Sequence, residues 1–351
     1  MRLLICCLFF IGLNSCKSEE PLKTRNISKV EIETLFQDSL LNVRAIEIDN
    51  KEAFSFAASN GKIGGNLFYG DTEKIGVRKQ IKLDSTNLNF RSLATPNNKT
   101  GFVLSISSPA LLYKIDIDSI KLVYQENHPK AFYDSMDFWN NQEGIAIGDP
   151  TEDCMSIIIT RDGGNTWTKL SCDDLPKAKE GEAAFAASDT NIAIVGDYTW
   201  VATGGKASRI LFSPDKGNTW EVYKTPIIQG KETTGMYSLD FYDENNGFAI
   251  GGDYTKPNDT LNNKIRTNDG GKTWQVVANG KKPGYRSCVQ YIPNSNGKEL
   301  VTVGFKGIDY SNDSGDSWKH LSDESFYTIR FLNDSVAYAA GKGRIGKLTF
   351  R

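Results

Sequence analysis

The chain has 351 residues, with 41 basic and 43 acidic side chains and a formal charge of −2. That balance excludes the basic excess of a nucleic-acid binder. Aromatics at 11% and 32 glycines against 11 prolines suit short strands joined by tight turns, and they exclude a disordered chain.

At the N-terminus Arg2 precedes an apolar run over 3–13 that is too short to span a bilayer and has the length of a signal sequence. Leu13-Asn14-Ser15-Cys16 then resembles the bacterial lipoprotein lipobox. The resemblance implies a signal peptide over 1–15, a lipid on Cys16 and a tether over 16–29. It places an exported chain on the outer membrane, held there by its lipid alone. Lys17-Ser18-Glu19-Glu20 resembles the acidic export tag of surface lipoproteins. With Cys6 and Cys7 in the signal, Cys154, Cys172 and Cys288 remain beside Cys16, and no C-x-x-C pair occurs. Only His128 and His320 could serve histidine chemistry. No metal site, cofactor or Ser-His-Asp triad is predicted.

From residue 30 onward the predicted elements are strands in repeated units. The first unit has strands over 43–48 and 53–58, the second over 90–94 and 101–105. The third has 133–138 and 144–149, the fourth 183–187 and 192–197, the fifth 237–242 and 247–252, the sixth 286–291 and 300–304. The seventh has 326–331, 336–341 and 345–350, one strand short of four, and the alternating stretch over 30–36 can supply the missing one. Such closure leaves no free sheet edge.

Four segments share the pattern [ST]-x-D-x-G-x-[ST]-W, at 160–167, 213–220, 267–274 and 311–318. Their tryptophans are 53, 54 and 44 residues apart, the period of a four-stranded unit with its loops. Asp162, Asp215, Asp269 and Asp313 are expected to bond the amides of their own turns. Gly164, Gly217, Gly271 and Gly315 are expected to take positive φ. Trp167, Trp220, Trp274 and Trp318 are expected to pack between units.

This pattern resembles the Asp-box, or BNR, repeat. Over residues 30–351 the chain is similar to the photosystem II stability and assembly factor-like propellers of bacteria, also through Val43-Arg44-Ala45-Ile46 and the ending Ala340-Gly-Lys-Gly-Arg-Ile-Gly-Lys-Leu348. The resemblance implies an all-β, seven-bladed propeller of four-stranded antiparallel blades, closed by its two termini. It also implies a binding or assembly platform with no catalytic residue, and the chain is expected to be a monomer. Gly341-Lys-Gly-Arg-Ile-Gly346 spells G-x-G-x-x-G, but too few residues follow for the helix of a dinucleotide site.

The candidate binding face lies opposite the Asp-box turns and would take a protein, peptide or glycan. Arg44, Arg91 and Arg286 recur at strand openings and are expected to form one anion-binding patch at the channel rim, beside Tyr133 and Tyr237. Asp149, Asp197 and Asp253 stand at matching places after the predicted second strands, with Tyr198, Trp200 and Tyr254 in enlarged loops. The alternative function is a glycan-active enzyme, sialidase-like or another glycosidase. It would need three clamping arginines or two facing carboxylates. Finally, a hairpin pairing Thr160 with Thr166 would set Ile159 opposite Trp167 and Cys154 opposite Cys172. That arrangement predicts a disulfide, with Cys288 a free thiol.

Overall fold

The computed structural model describes residues 25–48, 53–69, 72–84 and 86–351. Cys16, the signal and most of the tether lie outside the described residues. Among those described, no helix is long and apolar enough to cross a membrane. Apart from one 3₁₀ turn at Ser59–Gly61, the elements are strands.

The sheets are antiparallel, and four strands of each central one follow one another as a meander. Sheet two runs Phe90–Asn97, Thr100–Ser105, Ala110–Asp116, Ile120–Glu126, and sheet three runs Tyr133–Phe138, Gly144–Gly148, Ser156–Thr160, Thr168–Lys169. Sheet four runs Ile192–Val195, Tyr198–Ala202, Arg209–Ser213, Glu221–Lys224. Sheet five runs Thr234–Phe241, Gly247–Asp253, Lys264–Thr267, Gln275–Val276, with two short strands, Glu182–Ala183 and Gly204–Gly205, added at its inner side. Sheet six runs Cys288–Tyr291, Leu300–Gly304, Gly307–Ser311, Lys319–Ser322.

A seven-stranded terminal sheet holds both ends of the described chain. Its strand Val30–Ile48 pairs with Lys342–Phe350 through residues 30–42, then with Phe54–Ala58 through residues 43–48. The first strand of each sheet packs against the first strand of the next, and Thr328–Phe331 packs against Val30–Ile48. The architecture is a β-propeller.

Middle strands such as Gly144–Gly148 are buried at every position, because a sheet packed on both faces needs apolar or small residues throughout. Outermost strands such as Glu221–Lys224 keep an exposed edge. The core therefore lies between neighbouring sheets. Phe102 of sheet two, for example, meets Phe138 at 4.8 Å and Trp167 at 6.1 Å, both from sheet three.

The four Asp turns show one construction. In the first, the Thr160 hydroxyl donates to Asp162 Oδ1 at 2.9 Å and accepts from the Gly164 amide at 2.9 Å. The Thr166 amide and hydroxyl donate to the two Asp162 oxygens at 2.9 and 2.8 Å. Asp215, Asp269 and Asp313 repeat the set. Partial burial pushes these carboxyls up, but the turn's hydrogen bonds outweigh it and hold all four below their usual range.

Each turn glycine has positive φ, from 74° at Gly164 to 89° at Gly315, and each sits against the preceding sheet. A Cβ there would meet Phe102 from Gly164 at 2.2 Å, Ile159 from Gly217 at 2.6 Å, Trp200 from Gly271 at 3.0 Å and Phe248 from Gly315 at 2.2 Å. Trp167, Trp220, Trp274 and Trp318 pack into the same junctions. Thus the turn carboxylate fixes the loop while glycine and tryptophan fasten one sheet to the next.

Two expectations need correction. Residues 183–187 are not the first strand of the fourth unit, and 192–197 are not its second. The inner strand is Ile192–Val195 and the second is Tyr198–Ala202, so the unit starts later. The hairpin of sheet three also pairs one residue out of the predicted register, with Ile159 opposite Thr168 and Ile158 opposite Lys169. Cys154 bridges to Lys177 rather than lying opposite Cys172. The two cysteines nevertheless form a disulfide with Cα atoms 5.4 Å apart, because the chain past the short paired stretch brings them together. Cys288 is a buried free thiol.

Candidate functional site

The axis of the propeller is filled by its own chain. Before Ile192, residues 186–191 are buried and bond to every other sheet. Ala187 O accepts from Arg44 Nη1 at 3.0 Å, and Ala186 O accepts from Arg91 Nη1 at 3.2 Å. The Ser188 hydroxyl donates to Ser287 O at 2.6 Å, and Ser188 O accepts from the Thr328 hydroxyl at 2.9 Å. The Asp189 carboxylate takes the amides of Leu93 at 2.8 Å and Met136 at 3.1 Å, while its carbonyl accepts from Arg330 Nη2 at 3.1 Å. Thr190 bonds Ser238 at 2.8 Å. Asp189 has φ +60°, a conformation that Asp tolerates better than most residues. This plug was not foreseen. Its signal in the sequence was the polar run Ser188-Asp-Thr-Asn191, which suits no buried strand.

Around the mouth above the plug stand Arg44, Arg91 and a group of aromatics. The Arg44 guanidinium lies over the Tyr327 ring, 4.1 Å from its centre. Phe185 stacks on Tyr237 at 3.9 Å, Tyr285 meets Tyr237 edge-on at 4.8 Å, and Phe305 lies 5.3 Å from Tyr285. Tyr254 and Phe305 are exposed.

Burial is the main force on both arginines. It lowers the pKa of Arg44, and with the like charge of Arg44 nearby it brings Arg91 down to about 10. Neither is in an ion pair among the described residues. Each donates to a plug carbonyl, and Arg44 Nε is buried without a partner among the described residues. Asp134, fully buried, is pushed well above its usual range by desolvation and then by Asp149, with Arg91 opposing. Asp149, whose carboxylate accepts the Ala184 amide at 2.8 Å, is pushed up to about 6 by burial. Two partly buried guanidiniums in no ion pair among the described residues can hold an external carboxylate.

Arg286 does not join the rim. It lies one residue before the rim position, since Cys288 opposes Val303 as Ser238 opposes Ile250. Its side chain is buried and bonded to Asp309 by Nε at 2.7 Å and Nη2 at 2.6 Å, because a guanidinium at a core position needs a carboxylate. The sialidase-like alternative thereby loses one arginine of its clamp.

Tyr133 is buried in the junction with sheet two, its hydroxyl donating to Glu126 at 2.7 Å. Tyr237 contributes its buried ring to the mouth and donates to Thr233 O at 2.9 Å. Asp253 is buried and caps its own loop through the Thr255 amide at 3.0 Å. Tyr254 stays at the mouth. Asp197 belongs to the other face. It lies in the turn between the first two strands of sheet four, its carbonyl accepting from Lys216 of the neighbouring Asp turn. Tyr198 and Trp200 follow it into the second strand, where Trp200 is fully buried. The late start of sheet four moved all three.

No family model and no curated protein matches the sequence. Solved structures do match in fold. One described as YCF48 bound to D1 peptide has a TM-score of 0.63 and 13% identity over 93% of this chain and 98% of that chain. YCF48 from Cyanidioschyzon merolae has a TM-score of 0.60 and 11% identity over 91% of this chain and 98% of that chain. The WD40 propeller of Doa1 has a TM-score of 0.58 and 10% identity over 93% of this chain and 96% of that chain. At these identities the likeness shows the fold alone.

Proposed function

We propose that this chain is a non-catalytic binding platform that takes an acidic peptide segment of a partner protein at the channel mouth. The observation that carries the reading is the pair Arg44 and Arg91, close together, partly buried and in no ion pair among the described residues, set among Tyr327, Tyr285 and the exposed Tyr254. Aromatic and arginine side chains grouped in this way suit recognition of an extended ligand. One structural neighbour was solved with a peptide bound, which agrees with this use of the fold.

The finer architecture belongs to the same proposal. The terminal sheet divides at residues 42–43 into two four-stranded blades, giving a seven-bladed Asp-box propeller closed by its termini and working as a monomer. A lipid on Cys16 would hold the exported protein at the outer membrane. Cys16→Ala should then release it from the membrane fraction, and a variant that still floats with membranes after signal removal would refute the anchor.

The test of the site is fluorescence anisotropy with a labelled acidic decapeptide. Arg44→Glu with Arg91→Glu should weaken binding at least tenfold, and wild-type binding should fall as salt rises. Equal affinity in the folded double variant overturns the site.

A further inference from the structure

On the face of the Asp turns, between the N-terminal half of the terminal sheet and sheet two, lies a cavity of ≈ 390 Å³. The register shows what is missing there. Phe138 and Phe241 each follow an Asp on the first strand, and Thr95 holds that place in sheet two, after Ala94 opposite Phe102. Phe248 opposes Asp240, whereas in the terminal sheet Ser55 opposes Glu47. The turn over 117–119 is short and has no Asp-box glycine or tryptophan.

Elsewhere these positions carry stacked rings: Phe102, Phe138 and Trp167 in one junction, Trp200, Phe241 and Trp274 in another. A Cβ on Gly144 or Gly247 would strike Phe138 or Phe241 at 2.7 and 2.5 Å, while on Gly101 it would rest 3.7 Å from Thr95. Between the terminal sheet and sheet two these places hold Ser55 and Thr95, and the space is open.

Its walls are Ile115, Ile117 and Ile120, with Ile117 79% exposed. The rim carries Lys79 and Lys99, both exposed and in no ion pair among the described residues. Of the nearby acids, Asp116 already accepts the Thr100 hydroxyl at 2.8 Å, and Asp118 sits on the turn.

We propose that this groove receives an aromatic side chain of a partner peptide whose neighbouring residues are acidic. The ring replaces those the fold uses in the two junctions just described, and the acids meet Lys79 and Lys99. The site is separate from the mouth, and its test is run in the Arg44→Glu, Arg91→Glu background so that the mouth cannot take the probe.

The probe is the blocked peptide Glu-Asp-Trp-Asp-Glu, followed by amide NMR shifts of the full mature chain. Saturable shifts are expected at Gly101 and Ile117. A peptide with alanine for tryptophan should bind at least tenfold more weakly, as should the Thr95→Phe variant, which fills the groove as sheets three and five do. Lys79→Glu with Lys99→Glu should weaken binding at least fivefold at low salt without altering the fold. The proposal is overturned by an absence of saturable shifts up to millimolar peptide, by equal binding of the alanine peptide, or by a folded Thr95→Phe that binds like its parent. Should Thr95→Phe not fold, the lysine pair decides, and unchanged affinity there overturns the site.

Discussion

Asp189→Ala is expected to lower the unfolding free energy by about 2–6 kcal/mol, because it strips the acceptor from two buried amides at about 1–3 kcal/mol each. Those amides, of Leu93 and Met136, belong to different sheets, so the carboxylate ties sheet two to sheet three through the plug. Burial holds its carboxyl well above the usual range, with Arg330 as the main opposing influence. Asp189→Asn keeps one carbonyl acceptor and should lose less. Urea denaturation gives the size of the loss, and hydrogen exchange at the Leu93 and Met136 amides gives its place. Both amides should exchange faster in Asp189→Ala, and a change within about 0.5 kcal/mol, the range of an ordinary surface substitution, would show that the plug is not held this way.

The second large effect is at Trp200. Its ring is fully buried, stacks on Phe241 with centres 3.7 Å apart and planes 11° from parallel, and donates Nε1–H to Gly270 O at 2.8 Å. Trp200→Ala should cost about 3–5 kcal/mol, the usual range for an aromatic truncated in a core. Trp200→Phe keeps a ring on Phe241 and should cost clearly less. Near-UV circular dichroism and a denaturation midpoint measure both. A loss below about 1 kcal/mol for the alanine variant would mean that the ring contributes to the surface rather than the core.

Trp200 also marks where reading along the chain stops being sufficient. The four Asp turns were legible because each is a local device. Asp162 bonds amides four residues away and Gly164 needs only its own φ, so the pattern and its chemistry lie within eight residues. Strand content was legible for a similar reason, since alternation and small-residue runs such as Gly247–Asp253 reflect burial on a fixed period. The places of Arg44 and Arg91 on their strands were legible in the same way. Arg286, one residue out of phase, could be told from them only by the pairing of Cys288 with Val303 and by Asp309, 23 residues on.

Long-range choices settled the rest. Residues 183–187 have strand-like composition, yet the chain around 186–191 finds its hydrogen-bond partners on the first strands of every other sheet, and no local period encodes that. Once it fills the axis, sheet four must begin at Ile192, Asp197 becomes a turn beside Lys216, and Trp200 is carried into the core. The sequence by itself determined the repeating unit, because that unit is built from contacts between near neighbours. Only the tertiary structure decided which segment filled the axis and which arginines were left out of an ion pair, because both depend on groups that meet between sheets far apart in sequence.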